Sequence, residues 1–246
     1  MPHTRSDADM HCLPLLDPEF IQYLEDREFD MIYPEKVQRR SQIHWSPIHV
    51  AQYASRFLVT APCTRVLDIG CGPGKFCAIG ASVTEGFFTG VEQRDNLVRA
   101  ARKMILSYGL LNVEIIHANI KDICFQNFDA FYLFNPFQEN LWKLFRIDAL
   151  VEVKPQLYLE YSRYVAHELA QCPDGTRVVT YWGDGDEIPA CYKCVETAFG
   201  NHLQMWIKQG ADSHMAASAR GNQPRSKGKK PLHPPKAPAD PLRFLL

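Results

Sequence analysis

Short apolar runs alternate with longer amphipathic stretches between residues 65 and 208, and this alternation is the main structural signal of the chain. The run Arg65–Ile69 is apolar and ends at a cluster of glycines, which is typical of a buried strand. Further strands are predicted at Phe87–Glu92, Val113–His117 and residues 128–134. The run at 128–134 is almost continuously apolar, so we expect it to be buried on both faces at the centre of a sheet.

The segments between these runs have helical composition and spacing. We predict a helix at residues 74–83, helices over parts of 139–150 and 156–171, and a helix that ends near residue 107 and is capped by Asp95 or Asn96. The apolar face of this last helix comprises Leu97, Val98, Ala101 and Ile105. Strands that alternate with helices predict an α/β fold with a Rossmann-like, mainly parallel sheet and helices on both faces.

The end of the predicted sheet has a different pattern. A Pro-Asp-Gly turn at residues 173–175 leads into a strand at Arg177–Tyr181. Two further strands, at 190–199 and Leu203–Lys208, are separated only by a Gly-Asn turn. So short a connection favours a C-terminal antiparallel hairpin.

The regions that flank the α/β segment differ from it in composition. Residues 1–60 are predicted to form a helical extension, with an amphipathic helix to about Val59 in which Ser46 is the N-cap and Pro47 the first helical residue. Residues 61–210 form the α/β domain. Residues 211–246 are rich in proline and carry seven Lys/Arg against two acidic residues, so we predict a disordered basic tail.

Composition and charge narrow the class of protein. The chain has 246 residues, 46% of them hydrophobic, and a net charge of -1, so it has a sizeable core and no globally basic surface for nucleic acid. The tail remains a possible nucleic-acid contact that composition does not favour. No apolar segment is long enough to span a bilayer, and no apolar signal core follows Met1. We therefore expect a cytoplasmic protein without a membrane partner.

The eight cysteines are scattered through predicted strands and helices, which favours free buried thiols over a disulfide framework. Cys191 and Cys194 have the spacing of a metal pair. Residues three apart on a strand point to opposite faces, and no second pair accompanies them, so we predict no metal site.

The segment from Asp68 to Lys75 carries the strongest chemical signal, because it places glycines at alternate positions between a strand and a helix. Glycine allows close approach of a ligand, and the following helix directs N–H groups into the crevice at the end of the strand. A dinucleotide motif of the Gly-x-Gly-x-x-Gly type requires its third glycine at the position of Lys75. The segment therefore disfavours a dinucleotide.

An aspartate two residues before such a glycine series resembles the first motif of class I S-adenosylmethionine-dependent methyltransferases. The resemblance implies that Asp68 faces the methionine amino group of the cofactor. It also implies that Glu92, at the end of the second strand, accepts hydrogen bonds from both ribose hydroxyls. Asn119 follows the third strand, where the family often has an acidic residue at the adenine amine, and an amide oxygen can accept the same bond. An asparagine bonded to its own backbone is the alternative.

The fourth strand ends in Phe134-Asn135-Pro136-Phe137, where this superfamily has its acceptor-facing motif. The segment is similar to the Asn-Pro-Pro-Tyr/Phe motif of amino-group methyltransferases but lacks one proline. The resemblance implies that Asn135 holds the target nitrogen and that Phe137 packs against a planar acceptor. The alternative is that Asn-Pro serves only as a turn.

The sequence His44-Trp45-Ser46-Pro47, together with the Phe-Asn-Pro-Phe motif, resembles stand-alone bacterial members of the superfamily with no assigned acceptor. In this interpretation Trp45 covers the cofactor; in the alternative it is a buried aromatic staple at a helix start. The full set of cofactor contacts that the resemblance implies is Asp68, Gly70, Cys71, Gly72, Gly74, Glu92, Gln93, Asn119 and Trp45.

The leading hypothesis is therefore a methyltransferase that uses S-adenosylmethionine and acts on nitrogen in protein, nucleic acid or a small amine. A general base is needed only for a protonated acceptor, and His44 and His117 are the candidates by position. An NAD-dependent dehydrogenase and a methyltransferase-like binding module without turnover are the alternatives. The sequence does not specify the acceptor or the oligomeric state.

Overall fold

The computed structural model describes residues 16–142, 146–183 and 185–210. Five helices precede the sheet: α1 (Pro18–Ile21), α2 (Asp26–Asp30), α3 (Glu35–Gln38), α4 (Ser41–His44) and α5 (Ile48–Leu58). Strands and helices then alternate as β1 (Arg65–Ile69), α6 (Lys75–Val83), β2 (Phe87–Glu92), α7 (Asp95–Tyr108), β3 (Val113–His117), β4 (Ala130–Phe134), α8 (Pro155–Gln171) and β5 (Arg177–Tyr181). The hairpin β6 (Tyr192–Ala198) and β7 (Leu203–Lys208) follows.

The strands form one seven-stranded sheet in the order β3-β2-β1-β4-β5-β7-β6. The first five strands pair in parallel, while β7 pairs antiparallel with both β5 and β6. The predicted fold class, a mainly parallel Rossmann-like sheet with a C-terminal antiparallel hairpin, is confirmed. The order reverses between β1 and β4, and a crevice forms at such a switch point in open α/β sheets.

The core lies on both faces of the sheet, because successive strand residues point to opposite sides. On one face, Val66 and Tyr132 pack with α5, α6, α7 and the N-terminal helices. On the other face, Leu67 and Phe131 pack with α8. The ring of Tyr132 stacks on Phe76 of α6 with centroids 3.7 Å apart, so both faces of β4 are covered, as its apolar sequence predicts.

The helix predicted over parts of residues 139–150 is absent from the described residues of that range, 139–142 and 146–150. Among the residues described there, only a 3₁₀ turn at Gln138–Asn140 is present. The side chain of Asn140 donates to the carbonyl of Phe137 and accepts from the backbone N–H of Lys154. These side-chain bonds replace helical backbone bonds, and they fold the segment back over the end of the sheet.

Two predicted helix caps are also wrong. Helix α5 begins at Ile48, whose N–H donates to the side chain of Asp26 at 2.9 Å, while Ser46 pairs with the hydroxyl of buried Tyr132 at 2.7 Å. Helix α7 has Arg94 at its N-cap, without a side-chain cap. At the start of α5 a tertiary contact with Asp26 takes the bond that a local cap would form. The predicted tail at 211–246 lies outside the described residues.

Candidate active site

The glycine loop follows β1 directly and adopts a left-handed backbone. Gly70, Gly72 and Gly74 have φ angles of 75°, 55° and 77°, which side chains rarely adopt. A Cβ on Gly70 would lie 2.9 Å from the Cβ of Pro136, and a Cβ on Gly72 would overlap the ring of Trp45. The loop therefore needs glycine both for its turn and for the close approach of two neighbouring segments.

Asp68 lies beneath this loop and is almost fully buried. Burial raises the pKa of its carboxyl to about 8. The Cys77 thiol, which donates a hydrogen bond of 3.5 Å to the carboxyl, lowers this pKa, and the nearby charge of Glu92 raises it. The carboxyl therefore lacks a cationic partner within the described residues, and a bound cation at this position would ionise it.

Glu92 ends β2 and turns its carboxylate back towards the glycine loop. One oxygen accepts from the N–H of Gly72 at 3.2 Å and the other from the N–H of Arg94 at 2.8 Å. Burial raises the pKa of Glu92, although these two N–H groups and the Arg94 guanidinium favour its charged form. Each oxygen keeps a second lone pair for a ligand hydroxyl.

Arg94 forms a buried ion-pair network beside Glu92. Its guanidinium donates two bonds from Nη2 to Glu139, at 2.8 and 2.6 Å, and one from Nε to Asp148 at 3.1 Å. The network fixes the segment after β4 against the start of α7. Arg94 was not among the site residues predicted from the sequence, where its position two residues after the strand-end glutamate was the only signal for it.

A cavity of about 340 Å³ runs along the carboxyl ends of the strands, which is large enough for a small-molecule ligand. One part, which we call the β1–β3 half, is lined at the ends of β1, β2 and β3 by Ile69, Gly70, Val91, Glu92, Gln93, Arg94, Ala118, Asn119 and Ile120, and by Phe137, Glu139 and Tyr161 beside them. The other part, the β4–β7 half, is lined by Phe134, Asn135, Trp182, Gly183, Asn201 and His202.

The β1–β3 half ends at Asn119. Its side-chain oxygen accepts from the N–H of Lys121 at 3.1 Å, and its amide nitrogen donates to the hydroxyl of Tyr161 at 2.9 Å. The ring of Phe137 lies 5.4 Å from that of Tyr161. Tyr161 of α8 lines the cavity. Phe137 therefore lies in this half rather than beside the ends of β4 and β5.

Three non-glycine residues with left-handed backbones mark the β4–β7 half. Asn135, Trp182 and Asn201 have φ angles of 43°, 56° and 69°. Such angles are uncommon for residues with a side chain, and for a bulky residue such as tryptophan they are outliers. At these three residues the backbone departs from the conformation of regular strands and helices, and this departure sets the direction of each side chain.

Trp45 covers the glycine loop from the N-terminal side. Its Nε1 donates to the carbonyl of Val37 at 3.0 Å, and only 6% of the residue is exposed. The ring packs on Gly72 and also lines the cavity. The two alternatives for Trp45, a buried aromatic staple at a helix start and a cover over the cofactor, are therefore compatible with one another.

The structure brings seven of the predicted site residues to the cavity wall: Trp45, Gly70, Glu92, Gln93, Asn119, Asn135 and Phe137. The other predicted residues, Asp68, Cys71, Gly72 and Gly74, do not line it. Of the two candidate bases, His44 lines the cavity, while His117 is exposed and bonds to the carbonyl of Gln93. Burial, together with Arg40 and Arg94, lowers the pKa of His44 to about 4.

Lys75, the first residue of α6, is buried and binds away from the cavity. Its Nζ donates to Asp26 at 2.7 Å and to Asp30 at 2.8 Å, and it lies 5.3 Å from the centre of the Phe29 ring. This residue connects the glycine loop to α2. Lys75 also lies at the position where a dinucleotide motif has its third glycine, and its side chain there is held by Asp26 and Asp30.

No group of three or more metal-binding side chains occurs within the described ranges, and no helix in them is long and apolar enough to cross a membrane. Residues 66–155 match a family model described as a methyltransferase domain. A search of curated protein sequences found no match.

Solved structures provide the comparison of folds. TrmN from Thermus thermophilus is 18% identical, with a TM-score of 0.50 over 70% of this chain and 50% of that one. An RNA methyltransferase from Salinibacter ruber, in complex with S-adenosyl-L-homocysteine, is 17% identical, with a TM-score of 0.45 over 66% of this chain and 90% of that one. The chain thus spans about half the length of TrmN, and at such identity the likeness concerns the fold. The chain shares the fold of TrmN, and the part of it that matches the methyltransferase-domain family model is residues 66–155.

Proposed function

We propose that the protein transfers a methyl group from S-adenosylmethionine to a nitrogen atom of an acceptor. The observation that carries the proposal is a cavity at the strand ends that is lined by Gly70 and Glu92 in its β1–β3 half and by Asn135 in its β4–β7 half. Two ligands held in adjoining halves of one cavity are placed for in-line transfer, which depends mainly on positioning and on the exclusion of water.

The β1–β3 half has the donors and acceptors that this cofactor requires. Glu92 would accept bonds from the ribose hydroxyls, and the glycine loop would allow close approach of the methionine portion. Asp68 would balance the charge of the amino group, directly or through water. Tyr161 and Phe137 would flank the adenine ring beside Asn119, whose oxygen already accepts one backbone bond. When bound, the cofactor supplies an electrophilic sulfonium methyl.

Acceptor binding is the role we propose for Asn135. Its side-chain oxygen can accept a bond from a target N–H, which orients the nitrogen lone pair towards the β1–β3 half. The left-handed backbone of Asn135 follows directly from β4, at the switch point of the sheet. Strained residues of this kind occur at ligand-binding sites because the surrounding structure holds them in place.

Ligand-induced stabilisation tests the cofactor assignment. S-adenosylmethionine and S-adenosylhomocysteine should bind at micromolar concentration and raise the melting temperature, since a ligand selective for the folded state stabilises it. NADH, tested in the same way, should have no effect. The absence of a shift at millimolar S-adenosylhomocysteine would refute the proposed function.

Two glycine variants show whether the ligand binds at the loop. Gly72→Ala introduces a left-handed alanine and a clash with Trp45, whereas Gly109→Ala introduces the same backbone strain at φ 62° with no atom within 4 Å. We expect the first variant to lose the ligand-induced shift and the second to keep it. Methyl incorporation from labelled cofactor into a cell extract then distinguishes an enzyme from a binding module.

A further inference from the structure

The β4–β7 half of the cavity has an aromatic wall. The rings of Trp182 and His202 stack with centroids 3.5 Å apart and an interplanar angle of 15°. Their backbones are joined as well, because the N–H of Trp182 donates to the carbonyl of His202 at 2.9 Å. Phe134, at the end of β4, packs on Tyr181 with centroids 4.8 Å apart. A flat surface of this kind binds planar rings by stacking.

Charge is distributed unequally between the two halves. Of the described residues that line the cavity, the only Asp, Glu, Lys or Arg side chains are Glu92, Arg94 and Glu139, and all three lie in the β1–β3 half. An aliphatic amine is protonated at neutral pH, so a carboxylate favours its binding and its methylation requires a base. His44 is a weak base because burial, together with Arg40 and Arg94, lowers its pKa to about 4.

From this geometry we infer that the β4–β7 half is an acceptor subsite for a planar conjugated amine, such as the amino group of a nitrogen heterocycle, stacked on the Trp182–His202 pair and oriented by Asn135. This inference rests on the proposed function. A conjugated amine is neutral at pH 7 and needs no carboxylate. Its nitrogen lone pair forms the new N–CH₃ bond, the S–CH₃ bond breaks with its electron pair passing to sulfur, and the N–H proton leaves to water.

Ligand-observed NMR with defined probes tests the subsite. The protein is saturated with S-adenosylhomocysteine, which fills the β1–β3 half, and is then titrated with cytidine or with N-acetyl-lysine methylamide. We expect cytidine to bind and the lysine derivative not to bind. A short single-stranded oligocytidine tests the source of the ring: tighter binding than cytidine identifies nucleic acid as the source, and equal affinity per base identifies a free heterocycle.

Matched variants locate the bound ring. His202→Ala should weaken cytidine binding about five-fold or more, the usual range for loss of a stacking partner. His49→Ala is the control, because His49 is an exposed histidine that packs on Phe199 of the same hairpin but does not line the cavity. Trp182→Leu should have the larger effect, and its melting temperature reports any loss of folding.

The outcomes separate this inference from the proposed function. If S-adenosylhomocysteine binds but the lysine derivative binds better than cytidine, or if His202→Ala binds cytidine as the wild type does, the subsite assignment is overturned while the cofactor assignment stands. Failure of S-adenosylhomocysteine to bind refutes the proposed function itself, in a measurement that does not depend on the probes.

Discussion

The surroundings of Asp68 in the ligand-free protein differ from those that we propose for it in the complex with the cofactor. Its carboxyl is buried without a cation among the described residues, and burial raises its pKa from 3.8 to about 8. In the unfolded chain the proton leaves near pH 4, and in the folded protein near pH 8. The free energy of unfolding should therefore fall as the pH rises through this window, because the unfolded state binds fewer protons there.

Asp68→Asn removes this titration. At pH 8.5 we expect the ligand-free variant to melt above the wild type by about 5 °C or more, since no charge has to be buried. The wild type should bind S-adenosylhomocysteine more tightly as the pH rises from 6 to 7.5, by at most about tenfold per unit, because the ligand ammonium favours the ionised carboxyl. The variant should bind weakly at every pH.

Calorimetric titration and thermal melting measure both effects. Asp122→Asn is the control, because Asp122 is an exposed carboxylate that does not line the cavity. If Asp68→Asn binds S-adenosylhomocysteine with wild-type affinity, Asp68 has no part in holding the cofactor.

Asn135 should affect turnover and leave cofactor affinity within a few-fold of the wild type. Alanine at this position would add backbone strain at φ 43°, so Asn135→Gly is the cleaner change, as glycine adopts that angle freely. Loss of an acceptor-orienting bond should lower turnover by about 10- to 1,000-fold. Methyl incorporation into an extract fraction that the wild type labels provides the measurement, and unchanged incorporation would return Asn-Pro to the role of a turn.

Among single residues, the sequence predicted those whose positions are fixed by their neighbours in the chain. Glu92 and Gly70 line the cavity because a strand end and a glycine turn dictate their positions. Arg94, Tyr161 and Trp182 were missed. Their places depend on contacts with segments 45, 42 and 20 residues away, namely those of Glu139, Asn119 and His202, and no local pattern encodes such distances.

Among the elements, α2 and α6 are coupled through one buried lysine. The side chains of Lys75 and Asp30 are 2% and 8% exposed, and that of Asp26 is 39% exposed. Removing the cation leaves a buried carboxylate without its partner, which costs about 3–5 kcal/mol in comparable sites. Lys75→Met should therefore lower the free energy of unfolding by an amount in this range.

Urea unfolding measures that loss, and a second substitution tests its cause. In Lys75→Met/Asp30→Leu the stranded carboxylate of Asp30 is removed as well, so more than half of the lost stability should return. Lys103→Met is the matched control on the exposed face of α7. A loss below about 1 kcal/mol in Lys75→Met would show that the ion pairs do not hold α2 on the glycine loop.

Elements with strong periodicity were predicted well, and the failures have a common cause. The five parallel strands, α7 and α8 follow from their apolar patterns. The predicted helix at 139–150 has helical composition, but Glu139 and Asn140 bond to distant partners. The predicted cap of α5 failed for the same reason. Local propensity is a weak preference that tertiary bonds override.

For the whole molecule, the order of elements was sufficient to predict the architecture. Alternating strands and helices leave few topologies open, because parallel crossovers are right-handed and connections are short. The division into an extension at 1–60 and a domain at 61–210 remains a prediction. The N-terminal helices share one core with the sheet, so folding as one unit is the behaviour that their packing favours.

Because β7 lies between β5 and β6 in the sheet but is the last strand in the chain, the two halves of the cavity become available at different times during synthesis. The strands of the β1–β3 half, together with β4, are complete by residue 134, whereas Asn201 and His202 come just before β7. The aromatic wall closes only when β7 pairs with β5, and β7 follows β6 in the chain. A nascent chain thus acquires the strands that carry the β1–β3 half well before the residues that form the aromatic wall of the β4–β7 half.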